Sequence, residues 1–141
     1  MREKIINDGT VSIPNYCYRG HAEIKCVCFP ESVREVGVGA FSGCTNLEKV
    51  RLNEGMTRLR KELFSGCTGL KEVHLPDTLE SIGEWAFRDC AGLERLVIPK
   101  SVKEICAESF LGCSNLTIIA EKGSYVGEYA EKHGFNRQIL G

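Results

Sequence analysis

Four cysteines, Cys44, Cys67, Cys90 and Cys113, stand 23 residues apart, and the same step recurs at position after position. It joins Phe41, Phe64, Phe87 and Phe110, then Leu47, Leu70, Leu93 and Leu116. It also joins Val33, Met56, Leu79 and Val102, and Val36, Leu59, Ile82 and Ile105. A unit this short cannot bury an apolar face by itself, so its copies must stack and share one continuous core. Carried upstream, the register sets Tyr18 against Phe41, His21 against Cys44, Ile24 against Leu47 and Val27 against Val50. Residues 6–28 therefore read as a worn first copy, and the chain carries about five coils.

Each copy divides into three pieces. Leu47–Leu52, Leu70–Leu75 and Leu93–Ile98 alternate as short strands, with residues 50 and 52 inward and 49 and 51 outward. Pro30, Asn53, Pro76 or Pro99 follows; proline has no N–H to give a ladder and ends the strand. The third piece, Val36–Cys44 and its equivalents, predicts a short helical turn burying Ala40 and Phe41. Gly43, Gly66 and Gly112 would release the chain from that turn, with Asp89 tolerating the same left-handed conformation. The expectation is an α/β solenoid: a right-handed superhelix of about five coils, with a parallel sheet on one face and short helical turns on the other. It is one domain over 1–141, with an N-terminal strand and degenerate first repeat at 1–28, four repeats at 29–121 and a helical cap at 122–141.

A stack has two open ends. Ser124 can cap a helix that Gly134 stops, and Tyr125, Val126, Tyr129 and Ala130 share a face that would lie on the last coil. The other end offers only Ile5 and Ile6, which leaves an edge open to self-association or to an upstream domain.

Eighteen basic residues against nineteen acidic ones give a net charge of -1, no electrostatic footprint for nucleic acid. No stretch reaches the roughly 18 apolar residues of a membrane span, and none at the N-terminus resembles a secretion signal. The chain is expected in the cytoplasm if complete, or at the cell surface if it is a domain of a larger exported protein.

Among chemical candidates, the cysteine ladder runs in a line, whereas tetrahedral zinc needs converging ligands, so these thiols read as packing residues. Cys26 and Cys28, with Cys17 and His21 near them in sequence, are the remaining candidates for a thiol or metal site. Nucleophile-and-base geometry is missing: His74 lies two coils from Cys28, roughly 10 Å away. Neither an enzyme nor a cofactor or metal is expected. The outward strand positions form two rows, Cys26, Lys49, Glu72, Arg95, Ile118 and Cys28, Arg51, His74, Val97, Ala120. Lys49, Glu72 and Arg95 alternate in sign, as a merely solvated face would; the same rows also suit a peptide, since solenoids commonly bind along their strand face. Lys49, Arg51, Glu72, His74, Arg95 and Val97 are the candidate binding residues, with Glu80 and Lys103 expected on turns away from them.

The pattern L-x-x-V-x-L-P followed by V-x-x-I-G-x-x-A-F-x-x-C resembles the leucine-rich repeats of the BspA type. Leu75–Pro76, Leu79, Ile82–Gly83, Ala86–Phe87 and Cys90 carry it most fully. The resemblance implies a bacterial or protist surface protein used in adhesion and partner binding, with the ligand unspecified. The expected function is thus a non-enzymatic protein- or peptide-binding module; the alternatives are a spacer or stalk unit of a larger surface protein, or a thiol or metal site in the first repeat.

Overall fold

The structure, a computed structural model, describes residues 3–141, with side chains from Ile6 onward. Each turn of chain lays down a three-residue strand and then a two-residue one. In chain order these are β1 (Glu3–Ile5), β2 (Ser12–Ile13), β3 (Cys26–Cys28), β4 (Glu35–Val36), β5 (Lys49–Arg51) and β6 (Arg58–Leu59). They continue with β7 (Glu72–His74), β8 (Ser81–Ile82), β9 (Arg95–Val97), β10 (Glu104–Ile105) and the longer β11 (Thr117–Glu121). Helix α1 (Tyr125–Lys132) and β12 (Asn136–Leu140) complete the chain. Pairing is parallel throughout, as expected when each strand returns one coil later. Val27 faces Val50 and Val50 faces Val73, so the step of 23 is visible directly in the register.

The repeated apolar positions all point into one core. Phe41, Phe64, Phe87, Leu47, Leu70, Leu79 and Leu93 are completely buried. The rings of Tyr18, Phe41, Phe64, Phe87 and Phe110 form a continuous stack with successive centroids 5.2, 6.0, 5.7 and 5.5 Å apart, inside the favourable range for aromatic pairs. Beside it, the thiols of Cys44, Cys67, Cys90 and Cys113 each donate to a carbonyl of the preceding coil, those of Tyr18, Phe41, Phe64 and Phe87, at 3.0–3.2 Å. A small apolar residue with a weak donor suits this column better than a larger aliphatic one. No disulfide joins any of the cysteines.

Two expectations about the coils need correction. The helical turns expected opposite the strands are not shown: α1 is the one helix among the described residues, and that face is built of i→i−3 turns. Tyr16, Gly39, Glu62, Trp85 and Glu108, again 23 apart, all take a left-handed φ between +56° and +60°. Such a residue once per coil breaks any i→i−4 pattern. The amides instead alternate between bonds to the next coil, as in Gly39 N–H to Lys61 O, Phe64 N–H to Ala86 O and Gly66 N–H to Arg88 O, and local i→i−3 bonds, as in Ser42 N–H to Gly39 O and Ser65 N–H to Glu62 O. The second left-handed column is as the glycines imply: Gly43, Gly66 and Gly112 have φ of +73°, +77° and +83°, and Asp89 takes +61° in the same place.

The coil count is about six rather than five, because the capping segment completes a turn of its own. Ser124 accepts from Gly127 N–H at 3.1 Å, α1 buries Val126 and Ala130, and Gly134 takes φ +74°. Phe135 then meets Phe110 edge-on at 5.9 Å, and β12 pairs in parallel with β11 over five residues. At the other end Ile6 is buried, while the side chain of Ile5 lies outside those described.

The last strand slips. β11 pairs with β9 as Arg95–Thr117, Leu96–Ile118 and Val97–Ile119, a step of 22. A one-residue slip exchanges the two faces of a strand. Ile118 and Ala120, expected outward, are therefore inward and fully buried, and Thr117 and Ile119 continue the outward rows. No helix among the described residues is long and apolar enough to cross a membrane.

Candidate binding face

The strand register brings the outward side chains together as expected. Lys49 lies across from Glu72 and Arg51 across from His74, all exposed on one face, with Arg95 and Val97 on β9 beyond them. Val97 is 54% exposed, unusual for an aliphatic residue in a strand. Lys49 Nζ stands 3.7 Å from Glu72 Oε2, an exposed ion pair contributing a few tenths of a kcal/mol. The alternation stops there: Arg95 turns the other way and donates to Gln138 Oε1 at 3.1 Å.

The reason is a seam in the sheet. β1, β3, β5 and β7 form one hydrogen-bonded sheet, β9, β11 and β12 another, and no ladder joins β7 to β9. At the other boundaries Phe29 N–H reaches Arg51 O, Leu52 N–H reaches His74 O and Ile98 N–H reaches Ile119 O, at 3.0–3.1 Å. The corresponding bond from Leu75 to Val97 is missing, as is the one from Glu94 to Lys71 that matches Lys71 N–H to Glu48 O. Two side chains register the same parting. Val73 is partly exposed, whereas its equivalents Val27, Val50 and Leu96 are buried. Thr78 bonds back to Glu54 O and Met56 O, but Ser101, one coil later, has a buried hydroxyl with no partner.

A cleft of about 1200 Å³ follows this seam. All six candidate binding residues line it, together with Lys71, Lys100, Ser101, Lys103, Ile119 and Leu140. Sequence reasoning missed these additions, and it misplaced Lys103, which lines the cleft instead of standing on a turn away from it. Nothing in the periodicity could have revealed them, since a parted ladder is a property of the stack. Lys49 and Glu72 apart, no lining cation has a carboxylate within 4 Å among the described residues, although Arg51, Lys71, Arg95, Lys100 and Lys103 are all present.

The thiol and metal candidates do not assemble. Cys17 and Cys28 are exposed, Cys26 is half-buried, and His21 Nδ1 lies 2.8 Å from Glu23 Oε2. No three His, Cys, Asp or Glu side chains among the described residues converge to hold a metal ion. The ladder thiols sit in the core, where burial pushes Cys44 up to about 11 and Cys67 up to about 12, far from any reactive thiolate.

Comparison with known proteins agrees with this architecture. Residues 1–124 match the BspA type leucine rich repeat region in six copies. Among solved structures, a leucine rich cell surface protein from Faecalibacterium prausnitzii A2-165 superposes with TM-score 0.82 at 33% identity, over 89% of this chain and 33% of that one. A leucine rich repeat protein from T. pallidum gives TM-score 0.75 at 34% identity, over 77% of this chain and 51% of that one. A third, from Bacteroides ovatus ATCC 8483, gives 0.69 at 27% identity, over 93% and 41%. The chain thus spans about half or less of the length of these neighbours. No curated protein is similar enough to add to the comparison.

Proposed function

We propose that this chain, which belongs to the BspA type leucine-rich repeat family, is a non-enzymatic protein- or peptide-binding module that recognises its partner on the strand-lined face. The observation carrying this reading is that Lys49, Arg51, Glu72, His74, Arg95 and Val97 all line one cleft of about 1200 Å³. That cleft mixes cations with exposed aliphatic surface, and interface energy usually concentrates in a few such residues. Burial holds the Cys44 and Cys67 thiols protonated, and among the described residues no nucleophile is paired with a base on this face.

The test is a pull-down from extract with the intact chain, repeated with Arg51→Ala and His74→Ala together. Both side chains are exposed, so the change should leave the melting temperature in place, surface substitutions usually costing no more than about 0.5 kcal/mol. Loss of the partner is expected. The control removes the Lys61–Glu84 ion pair, outside the cleft, by Lys61→Ala and Glu84→Ala, and should retain it. The reverse pattern would place recognition elsewhere.

A second reading is a spacer or stalk unit of a longer surface protein. It is favoured by the neighbours' lengths, since the chain spans only 33–51% of them. Failure of every extract to yield a partner would favour it.

A further inference from the structure

The seam between β7 and β9 is the one parting among the longer strands; the short strands also part, between β4 and β6, but only the β7–β9 seam opens into the cleft. At the other boundaries of this face the strand edges satisfy each other; here Leu75 N–H, Val97 C=O, Glu94 N–H and Lys71 C=O lack the bonds their equivalents make. Val73 is half open, and the Ser101 hydroxyl is buried with no partner. Unpaired strand edges are the template on which extended chains add, main chain to main chain. The surrounding charge is net positive, six cations lining the cleft against the carboxylates of Glu72, Asp77 and Glu121. Lys71, Lys100 and Lys103 stand over the cleft with no carboxylate within 4 Å among the described residues, and Glu72 is already engaged by Lys49.

We propose that this seam is the docking site of an extended acidic peptide segment of a protein partner. Its carboxylates meet Lys71, Lys100 and Lys103, and its apolar side chains rest on Val73 and Val97. Its backbone reaches the open groups at Leu75, Glu94, Lys71 and Val97 as β7 and β9, now within 8 Å of each other, part to the roughly 10 Å that an added strand needs. The inference rests on the strand-face reading above and adds the position and chemistry of the partner. An extended chain fits better than a small anion for two reasons. The cleft, about 1200 Å³, exceeds the roughly 300–1,000 Å³ of most small-ligand sites. The open groups also repeat along two strand edges rather than converging on a point.

The experiment uses the intact chain and a fluorescein-labelled peptide of alternating Glu and Val, with a Lys and Val peptide as control. In the free protein, hydrogen exchange at the Leu75 and Glu94 amides should be faster than at their equivalents Leu52 and Lys71. Adding the acidic peptide should slow both. Anisotropy should show saturable binding that weakens with salt. The paired change Lys71→Glu and Lys103→Glu should raise Kd by about tenfold or more. Slow exchange at Leu75 and Glu94 in the free chain would overturn the inference. So would no binding of the acidic peptide up to about 1 mM, equal binding of the basic peptide, or displacement by inorganic phosphate as readily as by unlabelled peptide. If those negatives held while Arg51→Ala with His74→Ala still lost the pulled-down partner, only the acidic-segment inference would fall. If that pair also had no effect, the strand-face reading would fall with it.

Discussion

Replacing Phe87 by alanine should split the molecule's unfolding in two. Phe87 is fully buried, with Phe64 stacked 5.7 Å away on one side and Phe110 5.5 Å away on the other. Phe→Ala in a core costs roughly 3–5 kcal/mol, and each aromatic pair adds about 0.5–1.5 kcal/mol beyond its buried area. Both pairs are lost here, so the expected cost is near the top of that range, about 5 kcal/mol. That is a third or more of the roughly 5–15 kcal/mol holding a typical domain together. The consequence depends on position. Across the β7–β9 seam the long-strand ladder is absent, and behind it the coils are held by the short-strand ladder β6–β8–β10, by the Phe64–Phe87 stack and by bonds such as Phe64 N–H to Ala86 O at 2.8 Å. Because solenoid stability is a sum of coil and nearest-neighbour terms, weakening this interface should uncouple the N-terminal coils from the C-terminal ones. Phe41→Ala removes an equally buried ring, but where the long-strand ladder is continuous from β3 through β5 to β7 and only the two-residue strands part, between β4 and β6. Urea unfolding followed by circular dichroism and by the fluorescence of Trp85, the single tryptophan, distinguishes the cases. Phe41→Ala should give one transition at lowered urea, and Phe87→Ala two non-coincident ones. A single coincident transition for Phe87→Ala, with a loss under about 2 kcal/mol, would refute the reasoning.

Four further outcomes follow from the same packing. The thiols of Cys44, Cys67, Cys90 and Cys113 should label slowly in native buffer and quickly in denaturant, with Cys17 and Cys28 fast throughout; recovery of linked 44–67 or 90–113 peptides would contradict this. Burial raises Cys44 and Cys67 from 9.0 to about 11 and about 12, so the folded chain holds these protons longer than the unfolded one. Their stabilising contribution is full below pH 9 and is lost as pH rises towards 12, which a shallower alkaline fall in melting temperature for Cys44→Ala with Cys67→Ala would show. Gly66 has φ +77° with nothing closer than 3.6 Å to an added Cβ, so Gly66→Ala should cost backbone strain of about 1–2 kcal/mol and Gly66→Asn distinctly less; equal costs would point to steric crowding instead. Deleting residues 123–141 removes α1 and β12 from over Phe110 and Ile118, and should cause aggregation or a loss of several kcal/mol; a monomeric product with unchanged melting temperature would make the segment a mere tail.

The repeat was legible because each inward position recurs at a fixed step and tolerates only apolar residues, so Phe41 to Phe110 and Cys44 to Cys113 marked their columns unaided. Three features were not legible, each for a physical reason. The left-handed turns fall on Tyr16, Glu62, Trp85 and Glu108, residue types without preference for that conformation; Tyr16 and Glu62 are tied to the next coil by their N–H bonds to Val38 O and Glu84 O. The slip in β11 was hidden because Ile118, Ile119 and Ala120 are all apolar, leaving the alternation without phase, although Leu116, Ile118 and Ala120 keep a strict period of two. The seam, and with it Lys71, Ser101 and Lys103 as cleft residues, belongs to the stack rather than to any one copy. The six candidate binding residues were placed on one face by alternation alone; the cleft that unites them was not foreseeable.

Val97 and Leu111 offer the most direct test of the proposed strand-face recognition. Both are exposed aliphatic residues, at 54% and 48%, but Val97 lines the cleft and Leu111 does not. Each is replaced in turn by a photo-crosslinking amino acid, and the protein is irradiated with the partner recovered by pull-down. Covalent capture through position 97 and none through position 111 is the predicted result. Capture through position 111 and none through position 97 would contradict a strand-face recognition surface.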